Sequence, residues 1–511
     1  MDIRSPMPSR RAFLALVGIV TLIGAGFSHA GSWTIEPSVE ATETYSSNMG
    51  LVGSNASVSP VSGWISELTP RFRVDGAGSR LNAFLDYRRE FLHFQDDYQR
   101  NHQWNLLQSH ATVEAVDNWL FVDASANIDQ QPHSVFDTQS MGGANNTRNQ
   151  SETRTTQIAP YIRGRFASIA DYLLRLNTID ARFDDPAFTN THVDQLVGSV
   201  KNYATTGAIG WFGDFTGTKV RNAVIGKKED MRFRAGLVVP FGAHAHVSAF
   251  GGRESTDYAS SSRETTTTPG IGLEWSPSKR TQFVALRERR FFGYGHDLLL
   301  AHHTARMAWR YSDSKDAEIL PTLLAGYDPG STQQLMSDLL EASIPDPNER
   351  SRVVRARMEQ SATAGIPRLG GVQTTRLYLN RARELSVARV EQRNTLSIAL
   401  SQRDQELLPF SPDAIDDFAD SSELRERTLA LVWLHRLTRQ VNLHVSAVHL
   451  NISGTSESGL MLKQNSLTAA LTFRLSRKAV ASLGVRRSNV NSTVTGHARE
   501  NALAVSLSQG F

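Results

Sequence analysis

The 511-residue chain contains no cysteine. This absence excludes disulfides, cysteine nucleophiles, cysteine-ligated zinc and iron–sulfur clusters. The chain also lacks an excess of charge of one sign, because 54 Lys and Arg residues are balanced by 51 Asp and Glu residues. A formal net charge of +3 is too small for the basic surface with which proteins bind nucleic acids. We therefore expect no nucleic-acid partner.

Long apolar runs are scarce as well. After residue 30, no stretch approaches the ~18 consecutive apolar residues that a membrane-spanning helix needs. The apolar run at 12–23 follows several arginines and precedes the small-x-small sequence Ser28-His29-Ala30. This order predicts an export signal peptide over residues 1–30, cleaved near Ala30. A membrane anchor is the alternative, but the run is short and interrupted by glycine. We therefore expect an exported mature chain, 31–511.

The mature chain instead places apolar residues at every second position, in one segment after another. In one such segment Leu120, Val122, Ala124, Ala126 and Ile128 alternate with mostly polar residues. Comparable segments begin at Leu68, Leu81, Ala111, Ile158, Phe233, Ala245, Pro269, Leu299, Val441 and Leu467. A period of two over about ten residues, repeated many times, is typical of the strands of a transmembrane β-barrel.

The connections between these segments also alternate in length. Tight connections such as 242–243 are followed by long polar ones such as 129–153. Up-and-down barrels have short periplasmic turns and long outer loops, which explains such a rhythm. The sequence thus predicts an all-β, antiparallel, up-and-down transmembrane barrel of about 18 to 22 strands, with both chain ends on the periplasmic side.

One segment, 330–364, breaks the alternation and has helical spacing of its apolar residues. Within it, Asp346 is a good N-cap, Pro347 suits the first helical position, and Glu349 completes a capping box. The segment predicts a short helical hairpin inserted into the barrel, expected on the periplasmic side from the loop rhythm. It would either cap the barrel or offer a docking surface to a periplasmic partner.

Six arginines form three Arg-x-Arg pairs on predicted strands, and the apolar neighbours take the opposite parity. The pairs are Arg71 and Arg73, Arg163 and Arg165, and Arg232 and Arg234. A charge that faced lipid at the midplane would cost about 2–4 kcal/mol, so we expect all six to face the lumen. They would form a basic path for an acidic glycan or other anion. Alternatively they pair with acids such as Asp86, Glu90, Asp123 or Glu274 and fill the interior.

The last strand has an apolar face made by Leu503, Val505, Leu507 and Phe511. Barrel proteins are recognised by the outer-membrane assembly machinery through a final strand of this kind. We therefore expect these four residues to act as the barrel-assembly signal. The strand should close the barrel by pairing with the strand near Trp33.

Motifs for catalysis and for nucleotide or metal binding are missing. No Walker loop, Gly-x-Ser-x-Gly elbow or His-Glu-x-x-His sequence is present. His244 and His246 lie at i and i+2 on one predicted strand, but no third metal ligand is evident. We expect no enzyme activity, cofactor or metal. Two alternatives stay open: an outer-membrane enzyme with an unrecognised active site, and a soluble exported all-β protein that binds glycans.

Five blocks of sequence point to a known family. They are Trp33-Thr34-Ile35-Glu36-Pro37-Ser38-Val39 with Tyr45-Ser46-Ser47-Asn48 after it, Leu273-Glu274-Trp275-Ser276-Pro277-Ser278-Lys279-Arg280-Thr281, Arg290-Phe291-Phe292-Gly293, Pro345-Asp346-Pro347-Asn348-Glu349-Arg350 and Gln392-Arg393-Asn394-Thr395-Leu396. In order and spacing they resemble the outer-membrane β-barrel proteins of the exosortase/PEP-CTERM system of Gram-negative bacteria, which are encoded beside exopolysaccharide genes. The resemblance implies a pore or accessory for exopolysaccharide export or assembly in the cell outer membrane. Its implied partners are outer-membrane lipid, acidic polysaccharide and periplasmic export proteins.

Overall fold

The computed structural model describes residues 31–95, 101–140, 149–167, 169–202, 208–325, 337, 350, 374–409, 411–455 and 457–511. Its strands are β1 (Ser32–Ser46), β2 (Gly63–Ala77), β3 (Leu81–Phe94), β4 (His102–Val116), β5 (Leu120–Gln131), β6 (Ser151–Phe166), β7 (Ala170–Phe183), β8 (Thr191–Asn202), β9 (Gly210–Asn222), β10 (Gly226–Phe241), β11 (Ala245–Thr256), β12 (Glu264–Thr267), β13 (Gly270–Ser278), β14 (Thr281–Arg290), β15 (Gly293–His303), β16 (Met307–Glu318), β17 (Tyr378–Val390), β18 (Asn394–Leu407), β19 (Glu423–Arg436), β20 (Val441–Ser453), β21 (Met461–Arg474), β22 (Ala479–Ser492) and β23 (Gly496–Gly510). A short helix, α1 (Leu320–Ala325), follows β16.

The strands form one antiparallel sheet that closes on itself, because β1 pairs with both β2 and β23. In the closing pair, Ser38 lies opposite Gly510 and Ser46 opposite Ala502. β12 and β13 lie end to end on β11 and together form one interrupted strand. The barrel therefore has 22 strands. The predicted all-β up-and-down architecture is confirmed, with a strand number inside the predicted range.

Alternation along each strand separates an apolar outer face from a polar inner face. On β10, Phe233 and Leu237 are 54% and 55% exposed on the outside. Arg232 and Arg234 have the opposite parity and are largely covered. A strand whose two sides meet lipid and a polar interior needs this period of two, which explains the sequence pattern.

The two ends of the barrel differ in the length of their connections. Tight turns such as 78–80, 242–244 and 304–306 lie at the end where β1 begins and β23 finishes, which we call the turn end. The long connections 132–150 and 408–422 lie at the opposite end, which we call the loop end. Three tight turns, 223–225, 291–292 and 493–495, also lie at the loop end, so the predicted alternation of lengths is imperfect.

The insertion between β16 and β17 leaves the barrel at the loop end. Glu318 at the end of β16 pairs with Tyr378 at the start of β17, on the side away from both chain ends. This corrects the expectation that the insertion lies with the short turns. The connections 223–225 and 291–292 are as short as periplasmic turns, so the sequence did not reveal the correct number of strands before the insertion. An error of one strand places the insertion on the opposite side of the membrane. Among the described residues, no helix is both long and apolar enough to cross a bilayer.

Several predictions lie outside the described residues. The signal peptide at 1–30 is one of them. Most of the segment 330–364 is another, including Asp346, Pro347 and Glu349. The helical hairpin and its caps therefore stay predictions.

Candidate functional site

Three chain segments fold inward and meet at the loop end of the barrel. They are 134–139 from the β5–β6 connection, 374–377 just before β17, and 416–418 from the β18–β19 connection. We call this assembly the loop junction. None of the three has regular secondary structure, so side chains have to satisfy much of its polar backbone. The junction is thus specified by a small number of polar residues.

Arg376 and Asp416 form the centre of the loop junction. The guanidinium meets both carboxylate oxygens, with Nε 2.9 Å from Oδ2 and an Nη atom against Oδ1. A second Nη donates to the carbonyl of Pro412 at 3.0 Å. The hydroxyl of Thr374 also donates to the Asp416 carboxylate. A two-pronged Arg–carboxylate contact fixes orientation as well as distance, so it holds 374–377 against the β18–β19 connection.

Asp417 joins the β5–β6 connection to the same place. Its carboxylate accepts hydrogen bonds from the hydroxyl of Ser134 at 2.8 Å and from the backbone N–H of Val135 at 3.0 Å. The side chain of Asn149 in turn donates to the carbonyl of Ser134 at 2.8 Å. Adjacent carboxylates, Asp416 and Asp417, therefore tie two different segments to one loop.

The β5–β6 connection is anchored on the far wall of the barrel. The Gln464 side chain of β21 accepts from the backbone N–H of Gln139 at 3.1 Å and donates to its carbonyl at 2.7 Å. On β22, the Ser492 hydroxyl donates to the carbonyl of Phe136 at 2.7 Å. These contacts span the barrel interior, because β5 and β21 are not neighbours in the sheet.

Segment 374–377 is anchored on another part of the wall. Asn222 at the end of β9 donates through its side chain to the carbonyl of Thr375 at 2.8 Å. The hydroxyls of Thr189 and Thr375 lie 3.3 Å apart. Helix α1, which leaves β16 in the same insertion, lies against β5–β8. Segment 374–377 and the β5–β6 connection are therefore anchored on different parts of the wall, and both cross the loop end.

Apolar packing completes this closure. One buried cluster contains Val135, Phe136, Tyr378, Phe418 and neighbours from β19 to β23. A second contains Ile319, Leu377, Tyr258 and neighbours from β7 to β9. Burial raises the pKa of the Tyr258 hydroxyl well above its usual range. Burial of apolar surface at these clusters favours the inward position of the loops.

The loop junction also identifies the inner face of the wall. Asn222 points inward because it contacts Thr375, and Asp214 on the same strand has the same parity. Asp214 accepts from the guanidinium of Arg234 at 3.3 Å. Arg234 therefore lies on the inner face, opposite the exposed Phe233.

The structure pairs the predicted lumen arginines with acids or aromatic rings. Arg71 contacts Asp86, Arg73 lies 2.8 Å from Asp75, Arg163 stacks 4.4 Å from the Phe121 ring centre, Arg165 lies 2.7 Å from Asp171, and Arg232 and Arg234 lie 2.6 and 3.0 Å from Glu288. The three pairs lie on β2, β6 and β10, so they are well separated around the wall. This arrangement favours the interpretation of structural pairing over a continuous basic path.

Among the described residues, the acids predicted as partners of these arginines take different roles. Asp86 contacts Arg71, whereas Asp123 contacts Arg175 at 2.8 Å. No sequence pattern indicates the role of Glu288, which bridges Arg232 and Arg234 from β14. Register between strands far apart in the chain decides such contacts.

A second inner group was missed entirely from the sequence. Arg290 of β14 lies 2.7 Å from Glu254 of β11 and 2.9 Å from Asp316 of β16. Glu254 is fully buried. Together with Glu288, Arg232 and Arg234, these side chains line one sector of the inner wall with charges of both signs. Within the described ranges, no group of three His, Asp or Glu side chains could hold a metal ion.

These features define a large, closed, antiparallel transmembrane-type β-barrel whose loop end is crossed by segments of its own connections. No protein-family profile and no curated protein matches the chain. It is similar to the siderophore receptor PirA from Acinetobacter baumannii at 7% identity and a TM-score of 0.43, over 94% of this chain and 81% of that chain. It is also similar to the FrpB iron transporter (F5-1 variant) from Neisseria meningitidis at 8% identity and a TM-score of 0.45, over 93% and 82%. A third similar structure is OccK9 (OpdG) from Pseudomonas aeruginosa, at 8% identity and a TM-score of 0.35, over 93% and 98%.

Proposed function

We propose that this chain is a non-enzymatic outer-membrane β-barrel that forms a closed pore and serves exopolysaccharide export or assembly at the cell surface. The loop junction is the observation that carries the proposal. A barrel of 22 strands is too wide for wall side chains to fill. Its loop end is nevertheless crossed by three hydrogen-bonded segments. Hydrogen bonds and ion pairs of this kind keep the loop end closed, and they can break and form again when the pore opens and closes.

The outer-membrane location is supported by the apolar outer face and by the two unlike ends. In such barrels short turns lie in the periplasm and long loops outside. The loop junction then closes the pore on the outer side of the membrane. The insertion between β16 and β17 would face outward, so a docking role for periplasmic export proteins falls to the turn end.

The choice of an exopolysaccharide rests on the family resemblance and on the chemistry of the wall. Accessible inner-wall groups such as Arg165 and Asp171 can exchange hydrogen bonds with the hydroxyl and carboxylate groups of an acidic glycan. A wall of paired charges binds such a polymer weakly at many points, which suits passage better than retention.

The test is conductance of the purified barrel in planar lipid bilayers. We expect the wild-type protein to be closed with brief openings. The variant that carries Arg376→Ala and Asp416→Ala should stay open for longer, and an added acidic polysaccharide should block its current from one side. Steady conductance of the wild type, at the same level as the variant, would refute the closed pore. A neutral glycan of the same length that blocks equally well would refute the preference for an acidic polymer.

A further inference from the structure

The outer face of β16–β19 carries three successive cross-strand rows of side chains near the loop end. The first row is Tyr311, Leu385, Leu400 and Leu429. The second row, two residues nearer the loop end, is Asp313, Arg383, Gln402 and Arg427. The third row is Lys315, Arg381, Asp404 and Arg425. We call the second and third rows together the basic rim.

The basic rim faces outward, not into the lumen. Leu400 and Leu429 in the first row are 45% and 41% exposed, and alternate side chains such as Ala430 and Ser386 are buried inside. Side chains two residues apart on a strand share a face, so the rim lies on the same outer face as these leucines. The outer surface thus changes from apolar to charged within a single step along four adjacent strands.

Within the basic rim, carboxylates orient the arginines without neutralising them. Asp313 lies 2.8 Å from Arg381 and 3.8 Å from Arg383. Asp404 lies 3.8 Å from Arg383 and also contacts Arg425. The rim holds four arginines and one lysine against two aspartates, and Glu406 and Glu423 follow in the next row on the same face. Each guanidinium has five N–H donors, so the donors outnumber the carboxylate oxygens several times over.

The fourth arginine is held by a neutral group. Arg427 donates from Nε to the side-chain oxygen of Gln402 at 3.2 Å, and Gln402 donates in turn to Asp404 at 2.8 Å. A groove of about 480 Å³ runs between the first two rows and is lined by Leu385, Leu400, Arg383 and Arg427 among others. One side of this groove is apolar and the other is cationic.

We propose that the basic rim binds the phosphate groups of an outer-leaflet glycolipid, while the acyl chains of that lipid lie on the first row, nearer the middle of the membrane. Guanidinium groups bind phosphate through paired N–H donors, and they act most strongly where a membrane surface excludes much of the water. A lipid phosphate fits better than a free anion, because the apolar row lies directly beneath the cationic rows. The inference rests on the proposed outer-membrane location with the loop end outside, and it does not depend on pore opening.

The test measures binding of diphosphorylated lipid A to the folded barrel in detergent by native mass spectrometry. The test variant replaces Arg381, Arg383, Arg425 and Arg427 by Gln. The matched control is Arg389→Gln, on the outer face of β17 but at the turn end, where the residue pairs with Glu391. We expect the affinity to fall about fivefold for each rim arginine removed and to be unchanged in the control.

Two further measurements make the outcome decisive. Lipid A without its phosphates should bind the wild type as weakly as the test variant does, and inorganic phosphate should not compete at equal concentration. If the variant with four substitutions does not fold, the variant Arg425→Gln with Arg427→Gln is used instead, because it leaves the Arg381–Asp313 contact in place. Its logarithmic loss of affinity for lipid A should be about half of that expected for the four substitutions.

Equal binding of phosphorylated lipid A by the wild type and a folded rim variant would overturn the proposal. Efficient competition by inorganic phosphate or by an acidic polysaccharide would overturn the assignment to lipid. Failure of the proposed function would be seen separately, because conductance is measured on the wild type and on the loop-junction variant, neither of which alters the rim. A heat-dependent gel shift of every variant shows beforehand that the barrel is folded.

Discussion

The guanidinium of Arg376 lies against the carboxylate of Asp416 inside the loop end of the barrel, with the two side chains only 3% and 2% exposed. Removal of two charges from water is costly, and the cost is recovered only when geometry and additional hydrogen bonds are good. Thr374 and the carbonyl of Pro412 provide such bonds. The pair therefore specifies one position of the loop junction more than it stabilises the fold.

Asp416→Ala should lower the free energy of unfolding by about 3–5 kcal/mol, because it leaves a buried guanidinium without its carboxylate. Replacement of both partners, Arg376→Met with Asp416→Leu, should be close to neutral for stability. Urea unfolding in detergent micelles measures both. The exposed pair Arg389–Glu391 serves as control, and Glu391→Ala should cost no more than about 1 kcal/mol. An equal loss in the single and double variants would contradict this account of the buried pair.

Glu288→Gln should make the open pore more selective for anions. The substitution removes the carboxylate that lies between Arg232 and Arg234 on the inner wall, at 2.6 and 3.0 Å. Reversal potentials across a salt gradient measure the change, in the background that carries Arg376→Ala and Asp416→Ala. Glu391→Gln at a turn-end connection is the matched loss of one negative charge. The prediction fails if both substitutions shift the reversal potential equally.

Gly252→Ala should destabilise the barrel by about 1–3 kcal/mol, because a Cβ there meets backbone. The added atom would lie 2.0 Å from the carbonyl oxygen of Phe233 on the neighbouring strand and 2.8 Å from the Thr268 hydroxyl. The adjacent Gly251 is the control, since a Cβ at that position meets nothing within 4 Å. The temperature of the heat-dependent gel shift should drop for Gly252→Ala alone. Equal behaviour of the two variants would show that the strand relaxes at this point.

Leu237→Arg should destabilise the barrel in lipid vesicles by about 2–4 kcal/mol, the cost of a charge facing the hydrocarbon. Leu237 lies in the middle of the apolar outer stretch of β10, where it is 55% exposed. Val238→Arg places the same charge on the inner face of the same strand and should cost much less. Urea unfolding in vesicles compares them. A larger loss for Val238→Arg would mean that the two faces are assigned the wrong way round.

The strand architecture could be predicted because one physical condition is repeated along the whole chain. Every strand has one apolar and one polar side, so Phe233 and Leu237 on one parity of β10 already indicate the arrangement. The end at which a connection lies could not be predicted as well. Its only signal was length, and the tight loop-end turns at 223–225 and 291–292 have the length of turn-end connections.

The candidate site could be predicted only where it depends on local alternation. The parity of Arg232 and Arg234 is visible in the sequence, whereas their partner Glu288 lies on a strand four elements further along the chain. The ion pair of Arg376 and Asp416 carries even less local signal. Both residues stand in irregular segments, where no periodicity indicates direction. Their meeting depends on the closed barrel, which brings distant loops to one end.

The anchoring of the β5–β6 connection constrains the order of assembly. Gln139 bonds to Gln464, 325 residues later in the chain, and Phe136 bonds to Ser492, 356 residues later. Contacts of such long sequence separation form late, because the intervening chain has to be placed first. The loop end therefore cannot be sealed until β21 and β22 have joined the wall. A barrel inserted without β21 and β22 would lack this closure of its loop end, so the order in which strands join the wall also decides when the lumen is closed.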